Sequence, residues 1–415
     1  MSRPRARKSR DRYGRIITGA CFTVQAVGIG TYISFGVFFN PLMEAFDWSR
    51  GAIAGASSIA FFIAGLFGMM VGRLNDRFGP RVIMSVAAVF LGLGFGLVSR
   101  AETLLQLYLV FGLIFGIGLS AVDVIALSTI ARWFAGNRGK MTGIVKVGTG
   151  AGQFTIPILA SLLIAAFGYQ NAFIILGITA FALLMIIAQF LYRDPDLYDA
   201  GRTDPAGQIP AVSDAVIRPV QTAGIDYRLA LKSPRLWLLC LSNLLLVFCL
   251  MSIMLHIVPY GRDMGISPHR AAGILAAIGA VSMAGRLSGG LLIDHTGSKR
   301  IMVISFILLL TALIWLTRAD TLWELYAFAV IYGIAHGGFF TAISPIVAEL
   351  FGIRAHGGLF GIVVCFGTTG GAIGPFVTGL MFDRFLNYTA AFTALILIAA
   401  TAFVLMLCLK TDFRT

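Results

Sequence analysis

The sequence predicts an all-α integral membrane protein, with twelve transmembrane helices in two parallel six-helix repeats. Three observations carry that prediction. First, 58% of the 415 residues are hydrophobic and only 12% are charged, where a soluble domain carries about a quarter charged. A water-soluble chain of this size has nowhere to hide so much apolar surface, so lipid is its solvent. Second, twelve apolar runs have the length of a membrane-crossing helix, about 20 residues. Third, the two halves of the chain match at one constant offset. The composition excludes a soluble enzyme, a disordered chain and a nucleic-acid-binding module. It also turns the net charge of +13 into a question of topology.

The runs fall near 15–40, 50–72, 82–99, 104–131, 141–166 and 171–192, then 235–258, 269–293, 301–317, 322–350, 358–382 and 388–409. The third and ninth are the shortest, yet neither buries a charge. The basic N-terminal stretch runs straight into a full-length span with no small-residue cleavage site, so it reads as no cleavable signal peptide. Residues 193–234 contain DPDLYDAGRTDPAGQIPAVSDAVIRPV, a polar Asp-, Pro- and Gly-rich stretch that reads as a linker. The domains are therefore 1–192, a six-helix bundle, and 235–415, a second one.

Charge sets the orientation. With the N-terminus in the cytoplasm, 24 of the 32 Lys and Arg fall on the cytoplasmic side and six on the other. This bias predicts both termini inside a plasma (bacterial inner) membrane, with the basic face against membrane lipid. Lys146 and Arg286 are the two cations left within the spans.

At an offset of 218, Pro41 maps to Pro259, Gly72 to Gly290, Asp76 to Asp294, Gly79 to Gly297, Tyr108 to Tyr326 and Pro157 to Pro375. Glycine matches arise by chance in a chain with 48 of them; Pro, Asp and Tyr matches in one register do not. Each copy holds six spans, so both start on the same side. Parallel repeats of this kind hold substrate at their interface in transporters.

Residues 72–81, GRLNDRFGPR, resemble the loop motif of the major facilitator superfamily. GLLIDHTGSKR at 290–300 is similar to its degenerate second copy. The resemblance implies the major facilitator fold and a gating role for Gly72, Asp76, Arg77, Gly79 and Asp294. The chemistry agrees: Gly72 permits close helix contact, Gly79 a sharp turn, and Asp76 can cap a helix and pair with a basic group across the halves. FGVFFNPLMEAFDWSR at 35–50, NRGKMTGIVKVGTGAGQFTIP at 137–157 and Arg286 in AGRLSGG look like the monocarboxylate transporter branch and the neighbouring oxalate/formate exchangers. Two departures matter. Ser282 stands where animal members carry an acidic residue, and the eleventh span, GLFGIVVCFGTTGG, has no lysine where the exchangers carry one.

Charges near the bilayer centre are costly and mark function. Arg286 lies eight residues before Asp294, roughly 12 Å deep at about 1.5 Å per residue. Its planar fork matches a carboxylate, so it is the expected substrate anchor; an ion pair with another helix, such as Asp123, is the alternative. Asp123 and Lys146 sit at similar depth on adjacent spans. They read either as a structural salt bridge or as a proton relay. His336 is at mid-bilayer and reads either as a proton carrier or as a hydrogen-bonded core histidine. His256 is nearer the outer end, interfacial or an external proton group. Tyr32, Phe35, Asn243, Tyr332, Phe339, Cys365 and Phe366 fall on spans that line the cavity in the superfamily. Gly148–Gly152 and Gly367–Gly371 read as helix-packing surfaces.

The expected function is secondary active transport, by alternating access, of a small monocarboxylate such as lactate or pyruvate together with a proton, by a monomer. The rivals are proton-independent exchange of oxalate, formate or a related acid, and a non-transporting membrane sensor on the same fold. No phosphate loop, catalytic constellation, metal-ligand spacing or cofactor motif is present in the sequence, and the five cysteines read as small buried hydrophobes.

Overall fold

The computed structural model describes residues 3–195 and 224–410, and they are helical almost throughout. Among the described residues, eleven helices are long and apolar enough to cross a membrane. One of them, Arg138–Ala188, has 51 residues, about 76 Å at 1.5 Å per residue, twice what a bilayer needs. It breaks at Gly168, whose φ of 78° and ψ of 161° are non-helical and cheap only for glycine. The break divides it into two spans, which restores the expected twelve. We label the spans α1 (Arg3–Ser34), α2 (Arg50–Phe78), α3 (Pro80–Gly96), α4 (Gly116–Trp133), α5 (138–167) and α6 (169–188). The second set is α7 (Pro234–Asp263), α8 (Pro268–Thr296), α9 (Ser298–Leu316), α10 (Leu322–Phe351), α11 (His356–Phe385) and α12 (Thr389–Cys408). Of the expected linker, residues 196–223 lie outside the described residues. Its end folds as a short helix, Tyr227–Leu231, capped by the Asp226 carboxylate.

Helix ends follow ordinary capping chemistry. Thr321 and Glu324 form a capping box that starts α10, and Ser49 caps α2, each satisfying N–H groups that a helix leaves open. α2 and α8 both stop at glycines in the left-handed region, Gly79 at φ 86° and Gly297 at φ 85°. These two are related by the 218-residue offset, so the repeat extends to backbone conformation.

α4 is preceded by a π-helical segment, Tyr108–Phe115. Its rings join an aromatic core with Phe35, Phe38, Phe95 and Phe173; the Phe35–Phe111 and Phe38–Phe173 centroids are 3.9 and 3.8 Å apart. Phe35 is fully buried there and is a packing residue, not the cavity residue its span suggested.

Within the first six spans α1 packs on α5 and α2 on α4; within the second six α7 packs on α11 and α8 on α10. The two sets meet along two seams, α2 against α11 and α5 against α8. Near the face where α1 begins, called the terminal face below, both seams are glycine on backbone. A Cβ on Gly72 would collide with the Gly357 carbonyl, and one on Gly139 would come within 2.5 Å of the Gly290 carbonyl oxygen. The offset converts the first pair into the second. One turn deeper the partners are Gly361 on Gly68 and Gly143 on Arg286, again related by the offset. Arg286 therefore occupies the place of Gly68.

Candidate substrate cavity

With the seams closed at the terminal face, the two sets of spans diverge to leave a cavity of about 730 Å³. It reaches His256, Leu380 and Asp383 near the opposite face. Eight helices line it: α1, α2, α4 and α5, then α7, α8, α10 and α11. Most of the wall is apolar, which suits a ligand with little to hydrogen-bond.

Polar groups of α1, α4, α5 and α8 are joined by hydrogen bonds. Arg286 of α8 is 4% exposed. Its Nη1 donates to the Lys146 carbonyl of α5 at 3.0 Å, and its Nε has no partner among the described residues. The expected alternative, an ion pair with Asp123, is thus replaced by a bond to a neutral carbonyl across the α5–α8 seam. Lys146 is buried, and its ammonium meets Asp123 Oδ1 of α4 at 2.5 Å. The same oxygen accepts from Gln25 Nε2 of α1 at 2.7 Å, while Gln25 Oε1 accepts from the Thr149 hydroxyl at 2.8 Å. The Lys146 ammonium also lies 5.9 Å from the centre of the Phe340 ring. Gln25 and Thr149 were not anticipated. A lone amide in an otherwise apolar span was the available signal for Gln25, since a buried polar group needs partners.

His336 of α10 also lines the cavity, its ring between Tyr332 and Phe340 and its Nδ1 without a partner among the described residues. His256 does so too, nearer the open end. Its Nε2 contacts the Pro375 carbonyl at 2.9 Å, so that nitrogen carries the hydrogen, and its Nδ1 lies 3.1 Å from the Tyr388 hydroxyl. It is a cavity residue that ties α7 to α11. Tyr32, Asn243 and Phe339 line the wall as well. Asn243 Nδ2 donates to the Val363 carbonyl at 2.9 Å, which leaves its carbonyl oxygen for other contacts.

Besides Phe35, three expected wall residues are elsewhere. Tyr332 is fully buried behind the wall, with its hydroxyl donating to the Leu250 carbonyl at 2.7 Å. Cys365 lies on the α2–α11 seam, its Cα facing Gly65. Phe366 packs edge-on against Trp237. A cavity takes only part of each helix's circumference, and a span's membership does not say which part.

At the terminal face the two matched aspartates do the same thing. Asp76, ending α2, accepts the Gly357 and Gly358 N–H groups at 3.2 and 2.9 Å, at the start of α11. Asp294, ending α8, accepts those of Gly139 and Lys140 at 2.7 and 2.9 Å, at the start of α5. Each carboxylate caps a helix of the other half, where N–H groups and helix dipole favour negative charge. The basic partner of Asp76, however, is in its own half: Arg132 of α4, at 2.7 Å. Arg77 is exposed, with its guanidinium over the Phe78 ring.

The profile of the Major Facilitator Superfamily matches residues 20–316 and 284–414. The chain belongs to the major facilitator superfamily. Among superfamily relatives, human monocarboxylate transporter 11 is 26% identical, covering 92% of this chain and 79% of the relative. The agnestins efflux protein of Paecilomyces divaricatus is 25% identical over 99% of this chain and 90% of its own length. An uncharacterized transporter of the superfamily from Bacillus subtilis is 27% identical, with 88% of each covered. The folds agree: the proton:xylose symporter XylE superposes with a TM-score of 0.74 at 14% identity over 96% of each chain. FucP, solved in its outward conformation, gives 0.71 at 14% identity, covering 97% of this chain and 100% of that one. The protein is thus a multi-pass superfamily transporter related to the monocarboxylate transporters, and not an enzyme.

Proposed function

We propose that this transporter moves a small monocarboxylate, of the size of lactate or pyruvate, together with a proton. One observation carries the reading. A buried guanidinium at the cavity wall makes a single hydrogen bond, to a neutral carbonyl, and leaves its Nε unsatisfied among the described residues. A buried cation with so little compensation is costly, and a bound carboxylate supplies both the charge and the missing acceptor. Arg286 is the anchor in this reading, with Tyr32, Asn243 and Phe339 flanking an apolar tail.

The bundles 1–192 and 235–415 rock about the cavity, joined by the linker 193–234. Both termini face the cytoplasm of a plasma-membrane protein, as the excess of basic residues favours, so the described state is open outward. The functional unit is a monomer, since the cavity is built within one chain. Asp123, with Lys146, His336 and His256, supplies the titratable groups for proton coupling. Neutralising the anion with a proton keeps the moving step nearly electroneutral.

Proteoliposome uptake of labelled lactate and pyruvate, with and without an inward proton gradient, tests this. Accumulation that follows the gradient in the wild-type protein and disappears in Arg286→Ala is the expected result. Near-normal uptake by a correctly inserted Arg286→Ala protein, or uptake indifferent to the gradient, contradicts it.

A further inference from the structure

Resting on the monocarboxylate reading, we infer that Asp123 is the specificity residue that restricts the cavity to singly charged acids. The charges that face one space decide what it can hold. Two cations, Arg286 of α8 and Lys146 of α5, meet around the same network, and a doubly charged ligand needs both. Lys146 is not free: its ammonium is held by Asp123 Oδ1. The carboxylate is held in turn by Gln25 of α1, which is anchored by Thr149 of α5. The other groups facing the network from α10, His336 and Phe340, bring no second anion and no third fixed cation. Around this network the sum is therefore a single positive charge, on Arg286; the other carboxylate of the cavity, Asp383, lies at its open end.

Asp123 acts in a second way. Its side chain is 30% exposed, against 5% for that of Lys146, and it forms part of the cavity wall. Both of its hydrogen bonds fall on Oδ1, so Oδ2 is left to the cavity. A second substrate carboxylate directed toward Lys146 meets this oxygen first, and like charges at such a distance in a poorly screened site repel strongly. Lys146 is thereby a latent second anion site, and Asp123 is its lock. Selectivity here comes from repulsion of the wrong ligand as much as attraction of the right one.

The test measures the affinity ratio of dicarboxylate to monocarboxylate on purified full-length protein, using pyruvate and lactate against oxalate, malonate and succinate. In the wild type the dicarboxylates bind at least about tenfold more weakly. In Asp123→Asn the ratio rises about tenfold or more, equivalent to about 1.4 kcal/mol, because Lys146 is released and the repelling charge is gone. Asp123→Ser, with room for a water beside Lys146, gives the same direction and serves if the Asn variant does not fold. Asp123→Asn/Lys146→Gln returns the ratio to within about threefold of wild type, since the second cation is gone. An unmoved ratio in both single variants, while monocarboxylate still binds through Arg286, overturns this inference alone. Acids that fail to bind the wild type, or that bind Arg286→Ala equally well, overturn the monocarboxylate reading and this inference with it.

Discussion

Arg286 and Gln25 illustrate how single residues set the chemistry of the cavity. Both are buried polar groups on apolar helices, but their partners differ. Gln25 is fully used: its amide donates to Asp123 and accepts from Thr149, so it fixes the carboxylate that fixes Lys146. Gln25→Ala removes two hydrogen bonds from a buried ionic network, and a longer third one to the Val122 carbonyl. Interhelical bonds of this kind contribute about 0.6 kcal/mol each on average, so the variant loses about 1 kcal/mol of stability. A lowered apparent Tm in detergent, with weaker monocarboxylate binding, is the expected outcome; an unchanged Tm shows that the network does not depend on it. Arg286, by contrast, is under-used in the described state. Lysine at that position keeps the charge but loses the planar fork, so Arg286→Lys lowers uptake about tenfold or more. Full activity in that variant means that charge alone suffices.

The elements were largely legible in the sequence, and the reasons are physical. A span announces itself by length and hydropathy, because unpaired backbone cannot exist in lipid. Gly168 separates two spans that the helical backbone otherwise runs together, and the apolar runs already divided near it. Side-chain direction was not legible. Tyr332 and Phe366 sit on cavity-lining helices yet pack against other groups, and Cys365 falls on a seam, because apolar patterning loses its meaning when lipid, core and cavity wall are all apolar. The partners of Asp76 were legible only in part: that it caps a helix and pairs with a basic group was readable, while the cap lying across the halves and the basic partner, Arg132, lying in its own half required the fold. The glycine seams make a prediction at this scale. Gly139→Leu and Gly72→Leu drive a side chain into a facing backbone and prise the terminal face open. In a background without the native cysteines, Leu127→Cys near the cavity floor should then react several-fold faster with an impermeant maleimide applied from that face. Equal labelling rates with and without the leucine show that the seams do not form the gate.

Across the whole molecule, closure of the terminal face rests on two copies of one device. Asp76 caps α11 and Asp294 caps α5. Loss of a cap costs about 1 kcal/mol, so removing both by Asp76→Ala/Asp294→Ala shifts the closed-to-open ratio about 30-fold. Distances between spin labels at the terminal ends of α2 and α11, and of α5 and α8, should lengthen more in the double variant than in either single one. The copies differ in one respect. On one seam the residue opposite the inner glycine is Gly68; on the other it is Arg286. A duplicated hinge has thus been made unequal by a single side chain, whose main chain belongs to the seam and whose guanidinium belongs to the cavity. Occupancy and closure then share an atom framework, with no intervening relay to transmit one to the other. If Arg286 holds cargo as proposed, occupancy acts directly on the α5–α8 seam, whereas glycine stands at the equivalent place on the α2–α11 seam.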